Sequence, residues 1–357
     1  MTRRLPTDLL HRSPQEASRL LALSYLDEAA QGQARLTNPD DGEALHDFRV
    51  GLRRLRSCIR AYRPFLKGSI SGKMRRRLRA LTLETNAGRD TEVQLAWLRD
   101  QGSRLAAGEA EGLGWLVGRL EGRRSMLEQT RVRVGRRFLK LESRLRPRLL
   151  TFKLAVSAAG VRAPESFGQV TAGLIRSYVV ELGESMASVR HRDDEGEAHR
   201  TRIRAKRLRY LIEPLSPRLP RLKTSIKRLK ELQNALGTLH DLQVLAQEIP
   251  SGEGAGPIEA GLQTLRLRVQ EAGELSLNRL HTDWSPARTT AFLTRLEAAA
   301  DSLAGMSQGP SVNERAQTTD APAPLVESWT EAPFPAISLE TTPLPLRFPL
   351  QPQPRLH

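Results

Sequence analysis

A single cysteine, Cys58, stands in 357 residues. That excludes an internal disulfide framework, and without a CxxC pair or a Cys/His cluster the chain has no zinc-site spacing. On a helix Cys58 borders an apolar face, so a buried small hydrophobe is expected rather than a reactive thiol. Aromatic residues make up only 4% of the chain, too few for the stacking platforms that hold single-stranded nucleic acids. No apolar run reaches the roughly 18 residues of a membrane span, and the opening MTRRLPTDLLHR lacks a signal-peptide core. A soluble cytoplasmic protein is expected. β-Branched residues do not alternate, and Leu, Ala, Arg and Glu recur with helical spacing, so the fold class read from the sequence is all-α.

Acidic residues are missing from two places. After Asp47 no acid occurs until Glu84, and residues 46–89 hold 13 Lys+Arg against 2 Asp+Glu; residues 199–230 hold 12 against 1. These stretches contribute +22, so the rest of a chain of net charge +16 sums to −6. Basicity concentrated in this way attracts polyanions.

The two basic stretches are copies. HDFRVGLRRLR at 46–56 recurs as HRTRIRAKRLR at 199–209, setting His46 on His199, Arg49 on Arg202, Arg53 on Lys206, Arg54 on Arg207 and Arg56 on Arg209. At about 100° per residue, His46, Arg49, Arg53, Arg56 and Arg60 share a sector of roughly 80°. Phe48, Leu52, Leu55, Ile59 and Tyr62 lie opposite. His199, Arg202, Lys206 and Arg209 repeat the cationic sector, with Thr201, Ala205, Leu208, Ile212 and Leu215 opposite. Because solvated faces interleave both signs, these stripes are read as lacking counterions and facing an anionic partner.

The copying extends further. The same offset of 153 residues sets Tyr178 on Tyr25, and an offset of 151 aligns 78–93 with 229–244, including Asp90 with Asp241. Helices are expected at 16–36, 43–66, 72–101 and 109–145, with Pro147 ending the last and a linker to Pro164. The second copy adds 257–281 and 286–304. The reading is two four-helix bundles related by an internal pseudo-twofold axis, repeats 14–146 and 164–304. From about 307 to 357 the chain holds ten of its 22 prolines without helical period, and a disordered tail is expected.

Lys223, Lys227 and Lys230 share one helix face, matched in the first copy by Arg76 and Arg79. Arginine forks and mobile lysine charges together suit a chain of phosphates. His46 and His199 head the ladders, either as ligand contacts or as helix-start packing residues. Neighbouring cations favour their neutral form and a bound phosphate the charged form. Asp90 and Asp241, beside Arg89 and His240, read as ion-pair partners rather than catalytic acids. GSISGK at 68–73 is no P-loop, having three residues between its glycines, Met74 where a hydroxyl should stand, and no preceding strand. No catalytic residue, metal site or cofactor emerges. A nucleic-acid binder remains the alternative, although no helix-turn-helix or basic-zipper spacing occurs.

LHDFRVGLRRLR at 45–56, HRTRIRAKRLRY at 199–210 and LKELQNALGTLHDL at 229–242 resemble the CHAD family, the histidine-containing α-helical domain, over about 14–304. The resemblance implies two four-helix bundles around a basic channel, binding of inorganic polyphosphate, and association with polyphosphate granules. It implies ligand contacts at His46, Arg49, Arg53, Arg56, His199, Arg202, Lys206 and Arg209, with Arg76, Arg79, Lys223, Lys227 and Lys230 adjoining. Members often carry a fused triphosphate-tunnel catalytic domain. An ExExK element is missing here, so a binding module rather than an enzyme is expected.

Overall fold

The computed structural model describes residues 5–38, 41, 43–102, 110–128, 130–151, 165–189, 194–250 and 256–307. Among these residues every regular element is helical: α1 (Pro14–Arg35), α2 (Ala44–Ala61), α3 (Arg63–Leu66), α4 (Gly72–Glu84), α5 (Asn86–Gly102), α6 (Ala110–Glu128), α7 (Thr130–Leu150), α8 (Phe167–Ala187), α9 (Glu195–Ile212), a 3₁₀ turn (Glu213–Leu215), α10 (Leu222–Glu248), α11 (Pro257–Asp283) and α12 (Pro286–Met306). They belong to one unit, Met1–Gly309. The expected tail from 308 onward and the expected linker from 152 to 164 lie outside the described residues.

Local chemistry sets the helix ends. Ser13 accepts from the Glu16 amide at 3.3 Å, with Pro14 opening α1, and Ser166 with Gln169 forms a reciprocal capping box at the start of α8. Within GSISGK, Ser71 caps α4 through the Met74 amide, while the Ser69 hydroxyl accepts from Arg19 at 3.0 and 2.8 Å. Four boundaries differ from the sequence reading, one of them the division of the helix expected over 109–145 into α6 and α7. The helix expected over 43–66 breaks at Tyr62, whose ψ of 27° leaves the helical range before Pro64 opens the short α3. The helix expected over 72–101 breaks at Thr85. There the Thr82 and Thr85 hydroxyls bond back to the carbonyls of Leu78 and Thr82 at 2.8 and 3.0 Å, a pattern that bends helices. Pro147 lies inside α7 instead of ending it. Leu145 and Leu149 flank it at 1% and 2% exposure, and their burial offsets the lost amide bond.

α1 and α2 pack in close contact. A Cβ on Gly32 would sit 2.4 Å from the Phe48 amide nitrogen, and one on Gly51 would sit 2.6 Å from that of Ala29, so backbone meets backbone where these helices cross.

Two apolar cores result, and each draws on both halves of the chain. The larger joins α1, α2, α4 and α7 with α8, α9, α12 and the first part of α10. Tyr62 ties the halves there, stacking on Phe167 at 4.9 Å and hydrogen-bonding the Thr171 hydroxyl at 2.9 Å. In the smaller, Leu95 and Leu98 of α5 and Leu116 and Leu120 of α6 meet Leu242 and Leu245 of α10 and Leu262, Leu265 and Val269 of α11. Cys58 is buried, its Sγ 3.7 Å from the Ser18 carbonyl, and burial pushes its thiol well above the ordinary range. Among the described residues no helix is long and apolar enough to cross a membrane.

Candidate functional site

The amphipathic pattern read from α2 and α9 holds residue by residue. Phe48, Leu52, Leu55, Ile59 and Tyr62, and likewise Thr201, Ala205, Leu208, Ile212 and Leu215, are all 4% exposed or less. With these faces buried, α2 and α9 pack on one another. The cations that remain outside the core meet across this contact.

Arg53 of α2 lies close enough to Lys206 of α9 to act on its charge, together with Arg202 and Arg209. Lys206 is half-buried, and loss of hydration, followed by Arg202 and Arg53, lowers its pKa from the ordinary 10.5 to about 7. Asp241 of α10 acts in the opposite direction and offsets only part of this. The Nε atoms of Arg53 and Arg202 are buried without a hydrogen-bond partner, a costly arrangement for charged donors. His199 faces His240 with ring centroids 5.2 Å apart. Burial first, then His240, Arg202 and Lys206, lower its pKa.

A second set adjoins the first. Arg56 is pushed down by burial and by Arg60, Arg79 and Arg207, and Arg207 by burial and Arg60. Cations of α2, α4 and α9 therefore crowd one another on this side.

Elsewhere around this contact cations are neutralised, and at Arg209 this corrects the expectation that the stripes lack counterions. Arg54 reaches Glu28 at 2.8 Å and Glu213 at 3.3 Å. Glu213 also pairs with Arg209, which bonds Gln233 at 3.0 Å and lies 4.4 Å over the Tyr210 ring. The difference between the sides tracks one position in the sequence alignment. The offset of 153 that pairs Tyr25 with Tyr178 also pairs Glu28 with Glu181 and Arg54 with Arg207, but it sets Glu213 where the first copy has Arg60. Arg54 thus meets an acid across the contact, whereas Arg207 meets Arg60. Following that offset beyond the tyrosines signals Arg207 and Glu213, neither of which the stripe reading singles out as a site residue.

Of the sequence candidates, Arg53, Arg202 and Arg209 thus act on Lys206, and Arg60 and Arg79 act on Arg56. Arg49 turns inward at 7% exposure and donates to the Thr85 carbonyl at the α4/α5 break. His46, Arg76, Lys223, Lys227 and Lys230 are exposed, and none is among the groups that most perturb Lys206, Arg56 or Arg207. Asp90 is exposed, while Asp241 faces Lys206. No group of three or more His, Cys, Asp or Glu suited to a metal ion occurs among the described residues. Chemically, the arrangement concentrates positive charge and guanidinium donors that can meet an anion.

Known structures share this fold. The crystal structure of the CHAD domain from the plant Ricinus communis superposes with a TM-score of 0.54 at 22% identity, covering 81% of this chain and 93% of that one. PptA from Streptomyces chartreusis superposes with a TM-score of 0.55 at 18% identity, covering 78% of this chain and 98% of that one. No curated protein matches the chain in sequence. The sequence profile of the CHAD domain matches residues 21–250, a span that takes in α2, α9 and α10 with the cations just described. The chain belongs to the CHAD domain family.

Proposed function

We propose that the cationic contact between α2 and α9 is a groove that binds inorganic polyphosphate and performs no chemistry on it. The observation that carries this reading is the meeting of Arg53 of α2 with Arg202, Lys206 and Arg209 of α9 across the helix contact, around a lysine whose charge burial disfavours. A chain of phosphates supplies acceptors to Arg53 and Arg202 and restores the charge on Lys206, with Arg56, Arg60, Arg79 and Arg207 extending the track. The link of the CHAD family to polyphosphate supports the choice of ligand. His199 contacts the anion at one end. His46, Arg76, Lys223, Lys227 and Lys230 add weaker outer contacts, and Arg49 and Arg209 hold the walls. In this reading the repeats, 14–146 and 164–304, are related by a pseudo-twofold axis between α2 and α9, and each supplies one wall. Association with polyphosphate granules in the cytoplasm follows from the same chemistry.

The test is titration of the full chain with long-chain polyphosphate at several salt concentrations. Counterion release makes affinity fall steeply with salt. Arg53→Glu with Lys206→Glu removes most of the binding, whereas reversal of exposed Arg279 and Arg295 changes it little. Failure to bind at low salt, or displacement by equimolar duplex DNA, overturns the assignment.

A further inference from the structure

α7 carries eight Lys+Arg residues against one acid, Glu142, and none of the eight belongs to the α2/α9 contact. Val134, Phe138, Leu141, Leu145 and Leu149 turn into the larger core. Arg137, Lys140 and Arg144, spaced by three and four residues, share an outer face. α4 packs against α7, and Arg77 faces them from it. These residues, with Leu81 and Leu141, line a cleft of about 210 Å³.

The cleft is chemically two-sided. Its floor is Leu81 and Leu141, 1% and 2% exposed, and its rim is four cations. Glu84 neutralises Arg137. Arg77, Lys140 and Arg144 have no acid partner among the described residues. Three unpaired cations converging on one opening attract a multiply charged anion. Leucine side chains and the aliphatic stems of the cations, in turn, favour an apolar body that a bare phosphate chain does not have. Arg77 and Arg79 lie about 200° apart around α4, so this cleft and the α2/α9 contact occupy opposite flanks of one helix.

We propose that the α4/α7 cleft binds a small organic phosphate monoester, its phosphoryl group held by Arg77, Lys140 and Arg144 and its apolar or ring portion seated on Leu81 and Leu141. The site stands apart from the groove assigned to polyphosphate, and either assignment survives failure of the other.

Titration of the full chain with 1-naphthyl phosphate tests it, with inorganic phosphate as the comparison. One equivalent of the ester binds, a few-fold more tightly than inorganic phosphate because only the ester contacts the leucine floor and the aliphatic stems of the cations. Lys140→Gln with Arg144→Gln weakens the ester by about tenfold or more. Both side chains are exposed, so the fold is unaffected, as circular dichroism will verify. Arg77→Gln, on the other wall, gives a loss in the same direction. Arg53→Glu with Lys206→Glu leaves ester binding unchanged. The proposal is overturned by absence of ester binding, by equal affinity for inorganic phosphate, or by loss of ester binding in the groove variant but not in the cleft variants.

Discussion

Replacing Lys206 by methionine is expected to stabilise the unliganded protein while weakening its hold on polyphosphate. The ammonium group titrates at about 7 instead of 10.5 because burial removes its hydration and Arg202 and Arg53 crowd it. Each tenfold change in proton affinity corresponds to about 1.4 kcal/mol, so retaining this lysine at neutral pH costs the fold on the order of 4 kcal/mol. Lys206 is only half-buried, and relaxation and residual hydration reduce what a substitution recovers. Replacing buried ions by apolar side chains recovers about 1–4 kcal/mol, and the lower half of that range is expected here. The sign of the pH dependence is specific. Below pH 7 the lysine is charged in both folded and unfolded chains and its penalty is complete. As pH rises from 7 towards 10.5 the folded chain releases the proton first, and the parent protein gains stability that the variant does not. Urea melts at pH 6 and pH 9 will therefore show a methionine advantage that narrows with pH. In the same variant, loss of one charge-assisted contact lowers polyphosphate affinity by roughly tenfold at low salt. A variant that is less stable at both pH values, or that binds as tightly as the parent, refutes the reasoning.

Other perturbations have equally definite signs. Polyphosphate binding takes up protons near neutral pH, because the anion reverses the depressed values of Lys206 and His199; affinity falls as pH rises above 7, and calorimetry in two buffers of different ionisation enthalpy measures the uptake. Glu213→Gln frees Arg209 and leaves Arg54 with Glu28 alone, raising polyphosphate affinity while destabilising the fold by about 1–3 kcal/mol. Arg60→Glu, the change at the equivalent repeat position, lowers affinity, and parallel titrations showing the same sign for both would contradict the assigned asymmetry. Gly51→Ala forces a methyl group against the α1 backbone and costs about 2–3 kcal/mol in chemical unfolding, without altering the salt dependence of binding.

Helix faces were legible because burial follows a period that composition displays directly. The alternation of Leu52, Leu55 and Ile59 with Arg53, Arg56 and Arg60 states which side is core. Helix ends were less so. Thr82 and Thr85 fit a continuous helix by pattern, and the break at Thr85 coincides with a buried donation from Arg49, 36 residues earlier in the chain. Arg49 and Arg53 look alike in the ladder, yet one turns inward to a carbonyl and the other ends with an unpartnered nitrogen. That distinction depends on which carbonyl lies nearby, which periodicity does not encode. The counterions were hidden for a related reason. Glu28 and Glu213 lie 26 and 159 residues from Arg54, beyond the reach of a search among helical neighbours.

The smaller core bears on how the chain is made. The leucines of α5 and α6 find their partners on α10 and α11, which a ribosome synthesises more than a hundred residues later. Until then the α5/α6 hairpin leaves the exit tunnel with an uncovered greasy flank, and a nascent chain arrested before α10 presents a natural target for holdase chaperones. The two halves of the chain therefore depend on one another: a protein cut between α7 and α8 would lose the lid on each fragment.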